Sequence, residues 1–407
     1  MGRQFELQRC LGRGSFGEVY AATMRSQSGL ESQVALKLLR ADIDLAGQAV
    51  RRLADEGRLL ARLNHPAIVR VFDLVRVDGR LTLITELIEG EDLSTLIRGD
   101  GRIPLRPLLQ VTSQIAGALA AALETQGPDG PLRLVHRDVK PSNIRIDRHG
   151  QAKLLDFGVA RFDASDREVR TASDLVVGSI PYMAPERFVQ REVDPSSDVF
   201  SLGCTLFEGL TGERFYAKHR VASITAMALK PERYHAHLRA QTERPGLHPE
   251  VRSVLLRMLD PDPGARPTAA SLARDLEELA ERVPGPTLRM WCRDHSWSSP
   301  QVMTGSLDGQ LLSEGRLLEP DSLPPAPAPD TTLPPGRPEI RHRAQSTLQP
   351  NLSTEDLARS GERATLVPGA HSVEEAIETL QLPKVPERDI ATVLRPPREA
   401  SATTPEV

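Results

Sequence analysis

The chain is poor in cysteine, in aromatic residues and in net charge. Its 407 residues include three cysteines, Cys10, Cys204 and Cys292, far apart and without a CxxC pair. That spacing excludes a disulfide framework and a cysteine-rich zinc site, and it favours a reducing compartment. The 51 Lys+Arg nearly balance the 55 Asp+Glu, a formal net of −4. A generally basic surface for nucleic acid is therefore absent. No apolar run reaches the roughly 18 residues that a membrane-spanning helix needs, so no membrane association is expected. The first residues lack the basic-then-apolar layout of a secretion signal, and Glu6 stands where a myristoylation pattern needs Ser or Thr.

Proline is unevenly spread. Of 33 prolines, 18 fall between Val283 and Val407, where the only aromatics are Trp291 and Trp297. The 110 residues after Trp297 contain none. Such a segment buries too little apolar area to offset the entropy of ordering its backbone. The expectation is a folded domain over 1–282 and a largely disordered, Pro/Thr-rich tail over 283–407. Within the tail, Leu323–Pro338 holds seven prolines and reads as extended linker. Ser372 and Glu375 have capping-box spacing for a short helix through Leu380. Thr347, Thr365 and Thr392 share a local look, which reads as low-complexity drift or as docking sites for a phosphothreonine-reading partner. Trp291 and Trp297 either dock back on the folded domain or mark a partner site.

Along the folded part, strands come first and helices after. Phe5–Cys10, Glu18–Thr23, Val34–Leu39, Ile68–Val77 and Leu81–Leu87 are short apolar-rich runs, the last two joined by a turn at Asp78-Gly79. Between Ala46 and Leu63, Val50, Leu53, Leu60 and Leu63 recur at helical spacing. Helical periodicity then dominates over Leu105–Glu124, Ser196–Gly209, Pro249–Leu259 and Thr268–Arg282. This order predicts an α+β architecture of two lobes.

Five stretches carry chemistry. Gly12-Arg-Gly14-Ser-Phe-Gly17 is a glycine-rich segment between two strands. Glycines allow close backbone approach to phosphates, though in isolation the pattern reads equally as a hairpin turn. Lys37 lies inside the apolar strand Val34-Ala-Leu-Lys37. It either snorkels from an edge strand or pairs with a carboxylate, Glu56 being the candidate. His136-Arg-Asp138-Val-Lys140-Pro-Ser-Asn143 is followed by Asp156-Phe157-Gly158. Ala184-Pro185-Glu186 comes last.

These features, in this order and spacing, resemble the eukaryotic-like protein kinase family over about residues 5–282. The resemblance implies a bilobal protein kinase fold, with a β-rich N-lobe to about residue 88 and an α-helical C-lobe over about 89–282. It implies ATP-dependent phosphorylation of Ser/Thr hydroxyls on protein substrates, autophosphorylation included, with Mg²⁺ (or Mn²⁺) as cofactor. The loop of Leu11, Gly12, Arg13, Gly14, Ser15, Phe16 and Gly17 would cover the ATP phosphates. Val19 and Ala35 would lie over adenine, with Thr85 as gatekeeper and Glu86 and Leu87 opening the hinge. Lys37, fixed by Glu56, would hold the α- and β-phosphates; Asn143 and Asp156 would bind metal. Asp138 would orient the substrate hydroxyl and Lys140 would neutralise charge on the γ-phosphate.

Other family positions are structural. Asp198 would brace the catalytic loop, and Arg266 would pair with Glu186. Lys140 points to the serine/threonine branch, and Arg137 to a phosphorylated activation segment, with Thr171 and Ser173 as candidate sites beside Ser165. The soluble bacterial serine/threonine kinases are similar in layout, which implies a cytoplasmic signalling protein.

Three departures from the family are visible. Ser179 replaces the usual threonine, and a serine hydroxyl still bridges Asp138 and Lys140. Arg145 stands where an aliphatic floor under adenine is usual, so it lies beneath the base or turns to solvent. Gln126–Pro131 is a longer surface connection. A pseudokinase scaffold is the rival class, opposed by the presence of Lys37, Asp138, Asn143 and Asp156. A metabolite kinase is opposed by Ala184-Pro185-Glu186.

Overall fold

In β1 (Gln4–Gly14), Phe5, Leu7 and Cys10 are buried while Gln4, Glu6 and Gln8 are exposed. The inward parity changes from odd to even because the pairing with β2 (Gly17–Arg25) skips Gln8, a bulge that adds one residue to β1. β3 (Glu31–Leu39), β4 (Val71–Val77) and β5 (Arg80–Glu86) complete the antiparallel run β1-β2-β3-β5-β4. The turn between β4 and β5 places Asp78 at φ 45° and Gly79 at φ 80°, the two left-handed residues that suit a tight hairpin. The structure, a computed structural model, describes residues 2–14, 17–39, 57, 60–99, 102–127, 130–157, 179–189, 194–217, 219, 221–298 and 303–315. Ser15, Phe16, Glu56, Ser165, Thr171 and Ser173 lie outside the described residues, as do most of the expected helix over 46–63, Thr347, Thr365, Thr392 and the expected helix from Ser372.

The larger lobe is helical. α1 (Leu93–Arg98) follows a short strand β6 (Gly90–Asp92), and α2 (Leu105–Glu124) buries Leu108, Leu109, Val111, Ile115, Ala118, Leu119 and Ala122. Gln126–Pro131 forms a two-residue ladder, β7 (Gln126–Gly127) with β8 (Gly130–Pro131). β9 (Ile144–Asp147) pairs with β6 and with β10 (Ala152–Leu154). After α3 (Glu186–Val189) comes α4 (Ser196–Thr211), buried continuously from Ser197 to Glu208. A helix buried on all faces belongs at the centre of a lobe. Around it lie α5 (Val221–Ala228), α6 (Pro231–Thr242), α7 (Pro249–Met258) and α8 (Ala269–Arg282). Thr268 caps α8 by accepting the Ser271 N–H at 3.1 Å. One apolar core runs through this lobe, and a second lies under the small-lobe sheet.

The packed chain does not stop at 282. Thr287 caps α9 (Leu288–Asp294), which buries Leu288 and Cys292, and Trp291 and Trp297 pack on the large-lobe core. His295 sits between the two indoles, 4.6 Å and 4.9 Å from their ring centroids. The tryptophans therefore finish the surface of the lobe. Residues 311–313 form β11 (Leu311–Ser313), which pairs with β1 as a sixth strand of the small-lobe sheet. Past 282, where the tail is expected to begin, Leu312 is buried beside Phe5, Leu7, Val75 and Val77, enough apolar contact for a short segment to dock.

Candidate active site

The glycine-rich hairpin closes with Gly14 opposite Gly17. A Cβ on Gly17 would stand 1.9 Å from the Leu38 carbonyl oxygen, so only glycine allows β2 to leave the turn against β3. Among the described residues nothing lies within 4 Å of a would-be Cβ at Gly12 or Gly14, which leaves the backbone there open to approach. Leu11 is half-buried and Arg13 exposed. Val19 lies opposite Lys37, and Ala35 sits between Ala21 and Thr85 in the sheet. Thr85 donates to the Glu86 carbonyl at 3.3 Å. The Glu86 side chain accepts from Lys153 Nζ at 2.7 Å and from the Arg70 N–H at 2.8 Å, which holds it away from the linker that begins with Leu87.

Lys37 Nζ meets Asp156 Oδ1 at 2.6 Å, a pair that joins the small-lobe sheet to the segment after β10. Asp138, Lys140, Asn143 and Ser179 form the second half of the site. Lys140 Nζ donates to Asp138 Oδ2 at 3.0 Å and to Ser179 Oγ at 3.1 Å. Lys140 thus stands between Asp138 and Ser179, whereas the serine hydroxyl was expected to bridge Asp138 and Lys140. Asn143 Nδ2 donates to the Asp138 carbonyl at 2.8 Å and to its Oδ2 at 3.1 Å. With the amide nitrogen turned to Asp138, Asn143 presents its oxygen elsewhere. That oxygen and the half-exposed Asp156 carboxylate are hard donors of the kind Mg²⁺ takes alongside phosphate and water, so the residues fit a divalent cation. Among the described residues no cluster of three or more His, Cys, Asp or Glu forms an all-protein metal cage.

The loop carrying Asp138 is held under strain. Arg137 lies at φ 68° and Asp156 at φ 50°, left-handed conformations that cost non-glycine residues about 1–3 kcal/mol each. Buried Asp198 compensates on one side, accepting the His136 N–H at 2.6 Å and the Arg137 N–H at 2.8 Å. Burial raises the Asp198 pKa above the usual carboxylate value, against the pull of His136 and of those two N–H groups. His136 Nε2 stands 2.8 Å from the Leu155 carbonyl while Nδ1 accepts the Asp138 N–H at 3.3 Å. Its ring packs on Phe157 at 4.7 Å. The histidine therefore couples the Asp138 loop to the Asp156 segment.

Arg145 is held by its protein neighbours rather than turned loose to solvent. Its Nε donates to the Ile88 carbonyl at 2.9 Å, its Nη2 to the Gly90 carbonyl at 2.5 Å, and its Nη1 to Asp92 Oδ1 at 2.8 Å. Register explains the pair, because Asp92 and Arg145 are direct neighbours across β6 and β9. Burial pushes the Asp92 pKa up, and Arg145 opposes the rise. Arg145→Leu is accordingly expected to lower stability by about 1–2 kcal/mol, read as a lower unfolding midpoint, without tightening nucleotide binding. An unchanged midpoint with tighter ATP binding would show the guanidinium to be dispensable.

A sheet-built small lobe, a helical large lobe and a carboxylate–lysine–amide cluster beside their junction define the class of bilobal phosphoryl-transfer domains. The protein kinase domain family matches residues 5–276, and the chain belongs to that family. It is 35% identical over 289 residues to the tyrosine-protein kinase MasK of Myxococcus xanthus, covering 69% of this chain and 44% of that protein. Over 297 residues it is 35% identical to the serine/threonine-protein kinase PkaA of Streptomyces coelicolor, covering 70% and 51%. The serine/threonine-protein kinase PknA of Mycobacterium tuberculosis is 34% identical over 232 residues, 56% and 51%. The chain spans about half the length of these relatives. Among the described residues no helix is long and apolar enough to cross a membrane.

Proposed function

We propose that the chain transfers the γ-phosphoryl group of ATP to serine and threonine hydroxyls of proteins, itself included, in bacterial signalling. The observation that carries this reading is the joined cluster of Asp138, Lys140, Ser179 and Asn143, with Lys37 and Asp156 in contact. Asp138 accepts the proton of the attacking hydroxyl and aims its oxygen in line with the γ-phosphorus. Lys140 neutralises charge on the transferred group, and Lys37 holds the α- and β-phosphates. Asn143 and Asp156 would hold Mg²⁺ or Mn²⁺, which supplies charge neutralisation between the phosphates when bound. The glycine-rich hairpin offers backbone N–H groups to the phosphates, and the strand end at Thr85 and Glu86 meets the base. A scaffold without catalysis is disfavoured because none of these groups is replaced. Three free, buried cysteines support a reducing, cytoplasmic setting.

The test is a phosphosite map after incubation of the purified protein with ATP and Mg²⁺ or Mn²⁺. Phosphoserine and phosphothreonine are expected, with Thr171 or Ser173 among the sites. One similar protein is named a tyrosine-protein kinase, so phosphotyrosine alone would overturn the choice of hydroxyl, and no transfer at all would overturn the reading. Phosphate at Thr171 or Ser173 adds about −1.5 to −2 charge that an arginine such as Arg137 recognises. A Thr171→Ala, Ser173→Ala variant is therefore expected to lose the ATP-dependent activation that removes an initial lag in substrate turnover. Full activity without a lag would show these hydroxyls to be ordinary loop residues.

A further inference from the structure

The segment after the large lobe does more than cover surface. Its near end is fixed to the large lobe: the Leu288 N–H donates to Gln110 Oε1 at 2.6 Å, and the Ser298 N–H donates to Glu91 Oε1 at 2.5 Å, on the strand just past the interlobe linker. Five peptide units later the chain is on the small lobe, where Met303 bridges to Cys10. Five units span at most about 18 Å, so the segment is a short second connection between the lobes.

On the small lobe it makes two sets of contacts. The first closes the sheet. β11 pairs along β1, with Gln4 opposite Ser313 and Phe5 opposite Leu312, and its end reaches β4. Glu314 bridges to Val77, the Gly315 N–H donates to the Arg76 carbonyl at 2.8 Å, and the Asp78 N–H donates to the Ser313 carbonyl at 3.2 Å. Arg3 ties all three strands together, bonding Glu314 through Nε at 3.0 Å and Nη2 at 2.8 Å and reaching Asp73 on β4. The segment thereby pairs with the start of the β1 edge and meets the end of β4, shielding part of each open edge of a five-stranded sheet.

The second set seats a turn on the glycine-rich hairpin. Arg13 Nη2 donates to the Thr304 carbonyl at 2.9 Å, and Arg13 Nε bonds Glu18 at 2.8 Å. Glu18 Oε2 also accepts from Ser306 Oγ at 3.0 Å and from the buried Tyr20 hydroxyl at 2.7 Å. Tyr20 in turn accepts the Leu307 N–H at 3.3 Å. Burial works to raise the Glu18 pKa, and the bonds from Tyr20, Ser306 and Arg13 hold it below the usual value, so the carboxylate stays ionised at the centre of the contact. A Cβ on Gly305 would stand 2.4 Å from Tyr20 Cε1 and 2.5 Å from its hydroxyl. The turn is packed against the hairpin as closely as glycine permits.

We propose that Met303–Gly315 are positioning residues for the glycine-rich hairpin, a strap that belongs to the kinase unit and sets how tightly the hairpin holds ATP. This rests on the reading of that hairpin as the phosphate cover. Among the described residues the strap bonds Arg13, Glu18 and Tyr20 of the hairpin, so it acts on nucleotide affinity and leaves the chemical step alone. Binding energy spent on ordering a floppy hairpin is lost to the nucleotide, and a hairpin held in place beforehand avoids that cost.

The experiment uses the full chain with Gly305→Val, which pushes the turn off Tyr20 without touching β11, and Leu312→Asp, which unseats β11 itself. ATP dissociation constants by calorimetry, steady-state KM and kcat, and amide hydrogen exchange over residues 7–25 are measured together. For Gly305→Val the expected results are a rise of about tenfold in ATP Kd and KM and faster exchange in the hairpin. Its kcat should stay within about twofold, and its unfolding midpoint should move by less than about 3 °C. Leu312→Asp is expected to show the same loss of ATP affinity with added loss of protection in β1. Unchanged ATP affinity in both variants, with or without faster exchange, would overturn the strap. A wild-type protein that binds ATP but transfers no phosphate would sink the proposed activity instead, and the calorimetry would still decide the strap. If wild type fails to bind ATP, the phosphate-cover reading falls and the strap's role in affinity falls with it.

Discussion

Asp138→Asn is expected to lower kcat by about 10²- to 10⁴-fold while ATP affinity and the unfolding midpoint stay close to wild type. Asparagine has the size of aspartate and keeps one oxygen to accept from Asn143 Nδ2, now 3.1 Å from Asp138 Oδ2. Its backbone N–H still reaches His136 Nδ1, so the loop conformation has no reason to change. What asparagine lacks is the basic oxygen that, on the proposed reading, takes a hydroxyl proton, and it offers Lys140 no negative partner. Lys37→Met is expected to separate the roles, since Lys37 meets Asp156 and, on the proposed reading, holds the phosphates rather than the acceptor. Its loss should fall on both ATP KM and kcat. Quench-flow measurement of phosphoryl transfer, with the midpoint of denaturant unfolding as the control for folding, reads both variants. Transfer by Asp138→Asn at near the wild-type rate would remove Asp138 from the mechanism.

Why some of this was legible in the sequence and some not comes down to the range of the interactions. The five small-lobe strands announce themselves by local alternation, and α2, α4, α7 and α8 by helical spacing of their apolar residues, so strands and helices fall close to their expected positions. The motif residues also stand where their spacing suggests: Asp138, Lys140 and Asn143 lie on one tight loop, and Asp198 reaches it from α4. Arg145 is different. Its partners are two backbone carbonyls and an aspartate brought alongside by β6–β9 pairing, and no local pattern encodes a carbonyl. The strap was missed for a compositional reason. A three-residue strand and a seven-residue helix are diluted among 18 prolines and 110 residues without an aromatic. Yet Thr287 as a cap, with Leu288 and Cys292 four apart, already carried the signal for α9, and Leu311-Leu312 that for β11.

Breaking the Glu186–Arg266 pair is expected to cost about 3–5 kcal/mol of folding stability, the largest stability effect anticipated in the chain. Arg266 and Glu186 are nearly inaccessible, and their contact is bidentate: Nη1 to Oε1 at 2.7 Å and Nη2 to Oε2 at 2.8 Å. Ser197 Oγ adds a bond to Glu186 at 2.7 Å, Arg266 Nε donates to the Asp260 carbonyl at 2.7 Å, and the guanidinium lies 5.0 Å from the Phe200 ring centroid. The pair thus locks the Ala184-Pro185-Glu186 corner to α4 and to the loop before α8. Arg266→Met leaves a buried carboxylate without its counter-ion, and Glu186→Leu leaves a buried guanidinium. The double variant should lose less than the two single losses together, because it strands neither charge. The pH dependence has a defined sign. Burial works to raise the Glu186 pKa, but Arg266 and Ser197 outweigh it and hold the group below its ordinary 4.5. A carboxylate whose folded pKa is depressed contributes stability that is fully present above the unfolded value and fades as pH falls through the folded one. Wild type should therefore lose this contribution below about pH 4.5, whereas the double variant lacks that part of the acid slope. Denaturant melts of the four proteins at pH 7 and at pH 3.5–4.5 read both effects. Single variants that lose less than about 1 kcal/mol would place the pair among ordinary surface bridges and end the argument that it anchors the lobe.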